Sequence, residues 1–370
     1  MQQKIPKLVI TGGPCGGKTS AITFLVKKLT ELGYFPLIVP EAATSLINSG
    51  MSPFGGEVAL RNFQEAVIDF ITLHESKAVD GAIQSGHAKP VILCDRGYMD
   101  GRAYVSEEMF QSILNAKSLC VVSARDACYL GVFHMRTAAF GAESYYTTAN
   151  NEARTETIEE ARILDERTLS AWVGHHSLSV IGNSGRGFDA KLELLWGHVL
   201  RVLGEPEPHE IERRFLVEPV LASMLPAHSV QVEILQSYIS SVELGAVRRI
   251  RRRAQHNAAT YYETVKSPVR VGVVREIERQ ISADDYSRLE SMRIANMETI
   301  RKIRHHFIYC DQYFELDVFR ASLGGLFILE IELLHENAPV EIPPFLRVVR
   351  EVTGMSEFSN YMLAKHGLPK

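Results

Sequence analysis

Two different hydrophobic patterns divide the chain. Up to residue 203, short apolar runs alternate with segments whose apolar residues recur every three or four positions, as at Ile22, Leu25 and Leu29. The apolar runs predict buried strands at 8–11, 37–39, 91–94, 129–133 and 178–181. The wider spacing predicts helices after residue 18 and around 57–84, 156–172 and 188–203. This alternation of strands and helices predicts an α/β domain with a parallel sheet.

The pattern changes at a short acidic segment between Gly204 and Pro208, which contains two prolines. Such a segment predicts a boundary between a domain at 1–205 and a domain at 206–370. Beyond it the sequence predicts eight successive strands, at 210–218, 229–240, 245–254, 260–266, 270–279, 301–308, 312–319 and 326–335. We therefore expect an antiparallel β domain in the second half.

Composition and charge narrow the classes of protein. The 370 residues are 46% hydrophobic and 23% charged, with a formal net charge of −4, which is typical of a globular protein and not of one that binds nucleic acid through bulk positive charge. Five cysteines form no CxxC pair, and no apolar run approaches the length of a membrane span. We expect reduced thiols, a cytoplasmic location and no membrane span. The oligomeric state is left open.

A phosphate-binding motif follows the first predicted strand. The pattern G-x-x-x-x-G-K-[ST] lies between a strand and a helix, which is the context that the motif requires. Glycine amides can turn toward phosphate oxygens, the lysine reaches the β and γ phosphates, and the threonine hydroxyl can bind Mg²⁺. We expect ATP as a substrate and Mg²⁺ (or Mn²⁺) as the metal. The predicted nucleotide-binding residues are Gly12, Gly13, Pro14, Cys15, Gly16, Gly17, Lys18, Thr19 and Ser20.

Two carboxylates follow later strands of the same predicted sheet. Asp95 ends the apolar run at 91–94, where a Walker-B-type metal ligand belongs, and Glu41 follows the run at 37–39. Together with Arg96 they resemble deoxynucleoside and nicotinamide-riboside kinases, in which the equivalent glutamate acts as base on the acceptor hydroxyl or touches the metal. The alternative is that each carboxylate caps a helix. Lys18, Glu41 and Asp95 are thus the predicted catalytic residues.

Arg154 is a fourth predicted catalytic residue. It lies in a polar stretch before a predicted helix, and kinases of this group use such a segment as a lid that brings arginines to the transferred phosphoryl group. The alternative is a solvated helix face, since acidic residues are interspersed with the arginines.

Charged residues recur at every second position in the predicted β domain. In 210–217, Glu210, Glu212 and Arg214 share one face of a strand, with the two carboxylates about 6.6 Å apart. The same holds for Arg249, Arg251 and Arg253, for Tyr262, Thr264 and Lys266, for Glu276 and Glu278, for Lys302 and Arg304, and for Glu330 and Glu332. One such strand alone is typical of a half-exposed sheet. Six of them predict a lumen in which carboxylates bind a divalent metal and basic residues bind a triphosphate or longer polyphosphate.

These segments resemble the CYTH family, also called triphosphate tunnel metalloenzymes. The resemblance covers most of 209–365 and includes the opening strand at 210–217 and later landmarks at 234–238, 262–266, 315–319, 329–333 and 350–354. It implies an antiparallel eight-stranded tunnel that binds triphosphate with Mg²⁺ or Mn²⁺. The implied metal ligands are Glu210, Glu212, Glu330 and Glu332. The implied phosphate-binding residues are Arg249, Arg251, Lys266, Lys302, Arg304 and Arg214, and the last replaces the lysine of the family motif.

The first half is similar, over about residues 5–203, to the AAA-type ATPase and kinase family that includes nicotinamide-riboside-kinase-like domains and occurs fused to CYTH domains. The two resemblances together predict an ATP-dependent phosphotransferase that carries a triphosphate-binding tunnel, with a nucleotide, a small phosphorylated substrate and triphosphate or polyphosphate as its partners. Three alternatives stay open: whether the tunnel hydrolyses or only binds, a polyphosphate-sensing regulator with little turnover, and RNA 5′-end processing. Nucleic acid is disfavoured, because alternation sends the arginines of 248–253 to both faces of a strand.

Overall fold

The computed structural model describes residues 5–146, 157–183, 185–206, 211–241, 245–270 and 273–369, without the side chains of 268–270 and 273–275. The chain divides into two compact units, Met1–Val199 and Leu200–Lys370. The domain boundary predicted at 205/206 concerns independent folding and stays a prediction. In the part of the chain that the structure describes, no helix is long and apolar enough to cross a membrane.

The first unit is a parallel sheet with helices packed on it, as predicted. Its strands are β1 (Lys7–Thr11), β2 (Phe35–Val39), β3 (Pro90–Asp95), β4 (Gly131–Met135) and β5 (Leu178–Ile181). Its helices are α1 (Lys18–Glu31), α2 (Ala42–Asn48), α3 (Glu57–Ser85), α4 (Glu107–Ala116), α5 (Ile158–Trp172) and α6 (Phe188–Leu203). The strand order is β2-β3-β1-β4-β5, and every neighbouring pair is parallel.

The central strand explains why this sheet forms. Leu8, Val9 and Ile10 of β1 have no exposed surface, so side chains that point to opposite faces of the sheet are equally buried. Leu25 and Leu29 of α1 are equally buried. In a parallel sheet of this kind the carboxyl ends of all strands meet at one edge, and this edge is where open α/β sheets bind ligands. The loops that follow β1, β2, β3 and β4 therefore form the site described below.

The second unit is one antiparallel sheet with two short helices, α7 (Ala283–Glu290) and α8 (Asn360–His366). Its strands are β6 (Ile211–Val217), β7 (Val230–Ile239), β8 (Val247–Gln255), β9 (Ala258–Arg270), β10 (Val273–Ile281), β11 (Ile300–Tyr309), β12 (Gln312–Phe319), β13 (Phe327–Leu333) and β14 (Val348–Glu351). They are hydrogen-bonded in the order β10-β9-β8-β7-β11-β12-β13-β6-β14.

The antiparallel β architecture is confirmed, but the predicted number of strands is wrong. In the described part of the chain the sheet has nine strands, because the four residues of β14 add to the free edge of β6 through an irregular register. Among the described residues, no pairing between the outer strands β10 and β14 closes the sheet into a cylinder. The eight predicted segments correspond to β6–β13.

The two faces of this sheet have opposite character. Phe215, Phe307, Phe314, Leu316 and Leu329 lie on one face and form an apolar core with Leu225 and Leu346 from the loops. The strand register places charged residues on the other face, since directly opposed residues of antiparallel strands point the same way. We call this second surface the charged face, and its described ionic residues are Glu212, Arg214, Arg249, Arg251, Arg253, Lys266, Glu276, Glu278, Lys302, Arg304, Glu315, Asp317, Glu330 and Glu332.

Candidate functional site

The phosphate loop of the first unit is shaped by bonds to its carbonyl oxygens. Lys18 Nζ donates to the oxygens of Gly12 and Gly13 at 3.1 and 2.9 Å. The oxygen of Pro14 accepts from the Thr137 hydroxyl, that of Cys15 from the Ala138 amide at 3.2 Å, and that of Gly16 from Lys191 Nζ at 3.2 Å. Because protein donors hold the carbonyl side of the loop, its amide side is the one that would face a bound anion.

Two glycines of the loop combine a positive φ with no room for a Cβ. A Cβ on Gly12 would lie 2.2 Å from the carbonyl oxygen of Met135, and Gly12 also has a φ of +139°. Gly17 has a φ of +84° and a Phe188 ring atom 2.4 Å from where its Cβ would be. Both positions allow the loop to approach the end of β4 and the start of α6 closely. Thr19 and Ser20 follow on the exposed first turn of α1, where an anion is stabilised by the helix terminus.

Lys18 is buried among charged groups at this edge of the sheet. Burial lowers the pKa of its ammonium to about 8, and Arg96 adds to the effect, while Glu41 and Asp95 oppose it. Burial has removed the water that would stabilise the charged ammonium. A nearby phosphate would therefore stabilise this charge strongly, through the opposite charge and through hydrogen bonds. The position therefore fits the role predicted from the motif.

Glu41 is tied to the turn after β3. Arg96 Nε donates to Glu41 Oε1 at 2.6 Å, and the Thr44 hydroxyl donates to Glu41 Oε2 at 2.8 Å. Burial alone would raise the pKa of Glu41, but Arg96 and Lys18 outweigh it and lower that pKa to about 2. The carboxylate thus stays ionised near neutral pH and can accept a hydrogen bond, whereas its affinity for a proton is low.

The same turn is fixed by Asp100, which sequence reasoning missed. Its carboxylate accepts from Arg96 Nη1 at 2.9 Å, from the Gly97 amide at 3.0 Å, from Trp172 Nε1 at 3.2 Å and from the Thr11 hydroxyl. Arg96 itself has a φ of +71°. Asp100 therefore holds the arginine that in turn orients Glu41.

Asp95 lies at the end of β3 with one carboxylate oxygen buried. Its Oδ1 atom is buried with no hydrogen-bond partner. Burial and the neighbouring Glu41 raise the pKa of Asp95 to about 6, against the opposing effect of Lys18. A buried unpartnered carboxylate oxygen beside a second carboxylate fits a divalent cation. The described residues include no cluster of three or more histidines, cysteines or acidic residues able to hold a metal alone, so phosphate oxygens and water would complete such a site.

Arg154, the fourth predicted catalytic residue, lies outside the described residues.

The charged face of the second unit contains a nearly buried ionic network. Asp317 accepts from Arg304 at 2.6 and 2.7 Å and also pairs with Lys302. Arg304 reaches Glu330 at 2.5 Å and also pairs with Glu315. Burial alone would raise the pKa of Asp317, but Arg304 and Lys302 hold it well below its usual range. Two of the predicted phosphate-binding residues thus converge here with a predicted metal ligand.

A second group of basic residues lies on the other side of the same face. Arg249 Nη2 donates to Glu276 at 2.9 Å, and Lys266 Nζ lies 2.6 Å from the same carboxylate. Arg251 donates to Gln236 at 3.3 Å and lies 3.9 Å from Glu278. Burial and Arg249 lower the pKa of Arg251, which indicates crowded positive charge. All the predicted phosphate-binding residues thus lie on one face.

The predicted metal ligands on this face differ in their surroundings. Glu212 and Glu332 are directly opposed across β6 and β13, and their side chains are 37% and 47% exposed. Directly opposed like charges destabilise a sheet unless cations lie beside them. Arg201 pairs with Glu332 at 2.9 Å and Arg214 lies 3.8 Å from Glu212, so a divalent metal would take the place of these arginines. Glu330 is instead nearly buried and accepts from Arg214 Nε at 3.0 Å. Glu210 lies outside the described residues.

The sequence analysis includes Glu315 and Asp317 in the family landmark at 315–319 but assigns neither of them a role. Their spacing of two within 312–319 is the signal that identified the other strands. Their partners could not be predicted, because a sequence does not specify which residues of β11 oppose them.

Comparisons with known proteins separate the same two parts of the chain. A family model described as an AAA domain matches residues 7–188. The C-terminal part is similar to the inorganic triphosphatase of Nitrosomonas europaea, with 31% identity over 157 residues that cover 42% of this chain and 96% of that protein. A crystal structure of an inorganic triphosphatase shows 28% identity and a TM-score of 0.33, covering 44% of this chain and 97% of its own. A crystal structure of a hypothetical protein shows 29% identity and a TM-score of 0.33, covering 44% and 100%.

Proposed function

Because this chain belongs to the CYTH family of inorganic triphosphatases through its C-terminal part and carries an AAA-type P-loop domain in its N-terminal part, we propose that it is a phosphotransferase with two phosphate-binding sites. The first site binds ATP and transfers its γ-phosphoryl group to a small acceptor. The second binds and hydrolyses triphosphate. Both use Mg²⁺ or Mn²⁺.

The observation that supports the second site best is the balance of charge on one face of the sheet. The charged face has seven basic and seven acidic described side chains, which are Arg214, Arg249, Arg251, Arg253, Lys266, Lys302 and Arg304 against Glu212, Glu276, Glu278, Glu315, Asp317, Glu330 and Glu332. The acidic and basic side chains of such a surface neutralise one another, and each of them can exchange its partner for a bound ion. A metal would take carboxylates, and the released basic groups would take the phosphate oxygens.

A bound divalent metal would neutralise phosphate charge and polarise a phosphoryl oxygen. Thr19 and Asp95 would hold it in the first site, and Glu212 and Glu332 in the second, where Glu330 would join them only once Arg214 releases it and phosphate oxygens would complete the site. In the first site Lys18 would bind the β and γ phosphates and stabilise the charge of the transferred group. Glu41 would stay ionised and orient the acceptor hydroxyl, because phosphoryl transfer needs little proton abstraction before bond cleavage.

Transfer from γ-labelled ATP to a set of metabolite acceptors tests the first activity. The intact protein should label at least one acceptor, and Lys18→Ala should not. Lys27→Ala is the matched control, since it removes an exposed lysine from the same helix and should label like the wild type. Equal labelling by all three proteins would overturn the kinase assignment.

A polyphosphate sensor is the second candidate, and Arg214 is the observation that favours it. Its guanidinium donates to Glu330 at 3.0 Å and to the carbonyl oxygen of Phe358 at 2.8 Å. A planar fork bonded in two directions holds Glu330 away from a metal more firmly than a lysine would. Binding of triphosphate without release of phosphate would establish this alternative.

We expect Arg214→Lys to strengthen metal-dependent triphosphate hydrolysis. A lysine ammonium lacks the planar fork of the guanidinium and holds Glu330 less firmly, although Arg304 still pairs with this carboxylate. Glu330 is then easier to recruit as a ligand, and the Mg²⁺ concentration for half-maximal activity should fall about tenfold, the worth of one charge-assisted hydrogen bond. Arg213→Lys is the control, because Arg213 pairs with Glu351 and lies on the other face. The measurement is the rate of phosphate release as a function of Mg²⁺ concentration. If Arg214→Lys needs the same or a higher Mg²⁺ concentration for half-maximal activity, this account of Glu330 is contradicted.

Triphosphate affinity should fall as the pH rises above about 8. Burial lowers the pKa of Lys302 to about 8, although Asp317 opposes the shift. The ammonium is charged below this pH and neutral above it, so kcat/KM, which reports the free enzyme, should drop up to tenfold per pH unit on the alkaline side. Lys302→Arg should remove this dependence, since a guanidinium keeps its proton. A wild-type profile that is flat to pH 10 would exclude Lys302 as a phosphate ligand.

A further inference from the structure

The buried carboxylate of Asp165 is hydrogen-bonded to the phosphate loop, and the mechanism proposed above gives it no role. Asp165 lies on α5 with no exposed surface. Its Oδ1 atom accepts a hydrogen bond from the amide of Gly13 at 2.8 Å, although the two residues are 152 positions apart in sequence. A carboxylate in contact with an anion-binding loop repels the bound anion. We therefore expect Asp165 to make a contribution to the loop that outweighs this repulsion.

The same carboxylate joins the loop to the end of β4. His134 Nε2 and the Thr137 amide each donate to Oδ1 at 3.1 Å, and Arg136 Nη1 donates to Oδ2 at 2.8 Å. Burial alone would raise the pKa of Asp165, but His134 and Arg136 hold it well below its usual range. Asp165 is thus the junction of three segments: the phosphate loop, the loop after β4, and α5.

Pairing with Arg136 alone does not explain why a carboxylate is buried at position 165. Glu166, the next residue, also accepts from Arg136 Nη1 at 2.6 Å, while its side chain is 52% exposed. The guanidinium therefore has a second carboxylate partner. Only Asp165 bonds the Gly13 amide, so the contribution that is specific to this residue concerns the loop.

Packing at Gly13 supports the same interpretation. A Cβ built on Gly13 would lie 2.7 Å from both Cβ and Oδ1 of Asp165. The loop and the carboxylate are therefore in contact with no room for a side chain, and the direction of the Gly13 peptide is set by the bond between them. The bond turns this amide toward the protein interior, and the peptides that follow are the ones left to bind phosphate.

We propose that Asp165 is a positioning residue of the phosphate loop: its carboxylate fixes the Gly13 peptide and thereby shapes the loop for nucleotide phosphates. The inference rests on the nucleotide binding proposed above. It adds a residue 147 positions beyond Lys18, in the middle of a helix, to a motif that is otherwise local in sequence.

The test compares three variants of the intact protein. Asp165→Ala removes the acceptor, and we expect the Kd of a fluorescent ATP analogue with Mg²⁺ to rise about 10- to 100-fold, the size of effect that follows from misplaced binding groups. Asp165→Asn keeps an oxygen for the Gly13 amide and should stay within about threefold of the wild type. Glu166→Gln weakens only the pairing with Arg136 and should bind normally.

Amide hydrogen exchange of the segment 10–17 without nucleotide provides a readout that does not require binding. It should be faster in Asp165→Ala and unchanged in Glu166→Gln, with thermal unfolding showing that each variant is folded. Wild-type affinity in folded Asp165→Ala, or an equal loss in Asp165→Asn, would overturn the proposal. A wild type that binds no nucleotide would overturn nucleotide binding, and the exchange rates would then still show whether Asp165 holds the loop.

Discussion

Asp317→Ala should destabilise the protein more than any other single change considered above. Asp317 has no exposed surface and is the shared partner of Lys302 and Arg304. Removing it leaves two buried cations side by side, and loss of one partner of a buried ionic group costs about 3 to 5 kcal/mol. We expect the free energy of unfolding to fall by this amount, measured by urea denaturation with a probe in the second unit, since the two units need not unfold together.

Two variants make this expectation specific. Glu336→Ala removes an exposed carboxylate from the same unit and should change the free energy of unfolding by no more than about 0.5 kcal/mol. Asp317→Asn keeps the shape and one acceptor oxygen, and should lie between the two. A loss below about 1 kcal/mol in Asp317→Ala would mean that the cations find other partners or solvent, and the ionic network would not be the buried unit described here.

Lys18→Ala should have the largest effect on activity in the first unit. The ammonium already donates to the loop and is surrounded by Glu41 and Asp95, so its loss removes the one lysine that the loop offers to phosphate. We expect phosphoryl transfer to fall by a factor of about 100 to 1,000, the effect of deleting one preorganised donor from a transition state. Labelling of the acceptor from γ-labelled ATP measures it, and a loss below tenfold would show that transfer does not take place at this loop.

Local features of the fold were predictable, whereas pairings distant in sequence were not. The motif at 12–19 predicts the strand, loop and helix around it, and the sequence of the second half predicts eight strands that correspond to β6–β13. The strand β14 was missed because four residues give too short a pattern, and it pairs with β6 through an irregular register. Likewise Lys302 was predicted to bind phosphate, but its partner Asp317 depends on the register between β11 and β12.

The same difference between local features and distant contacts applies to the candidate site in the first unit. Glu41 and Asp95 were found because each follows an apolar run that ends at the carboxyl edge of a parallel sheet. Asp165 lies within a helix, where a carboxylate is normally solvated, and only the folded chain brings it to Gly13. Asp100 was missed for a similar reason, since its partners Thr11 and Trp172 come from distant segments.

Binding of imidotriphosphate, whose P–N–P linkages resist hydrolysis, to the intact Lys18→Ala protein tests directly whether the chain has two separate phosphate sites. Titration calorimetry with Mg²⁺ should find one site per chain with the affinity of the wild type, because the charged face contains none of the residues of the phosphate loop. Loss of this binding in Lys18→Ala would place the triphosphate in the loop and contradict the account of the second unit.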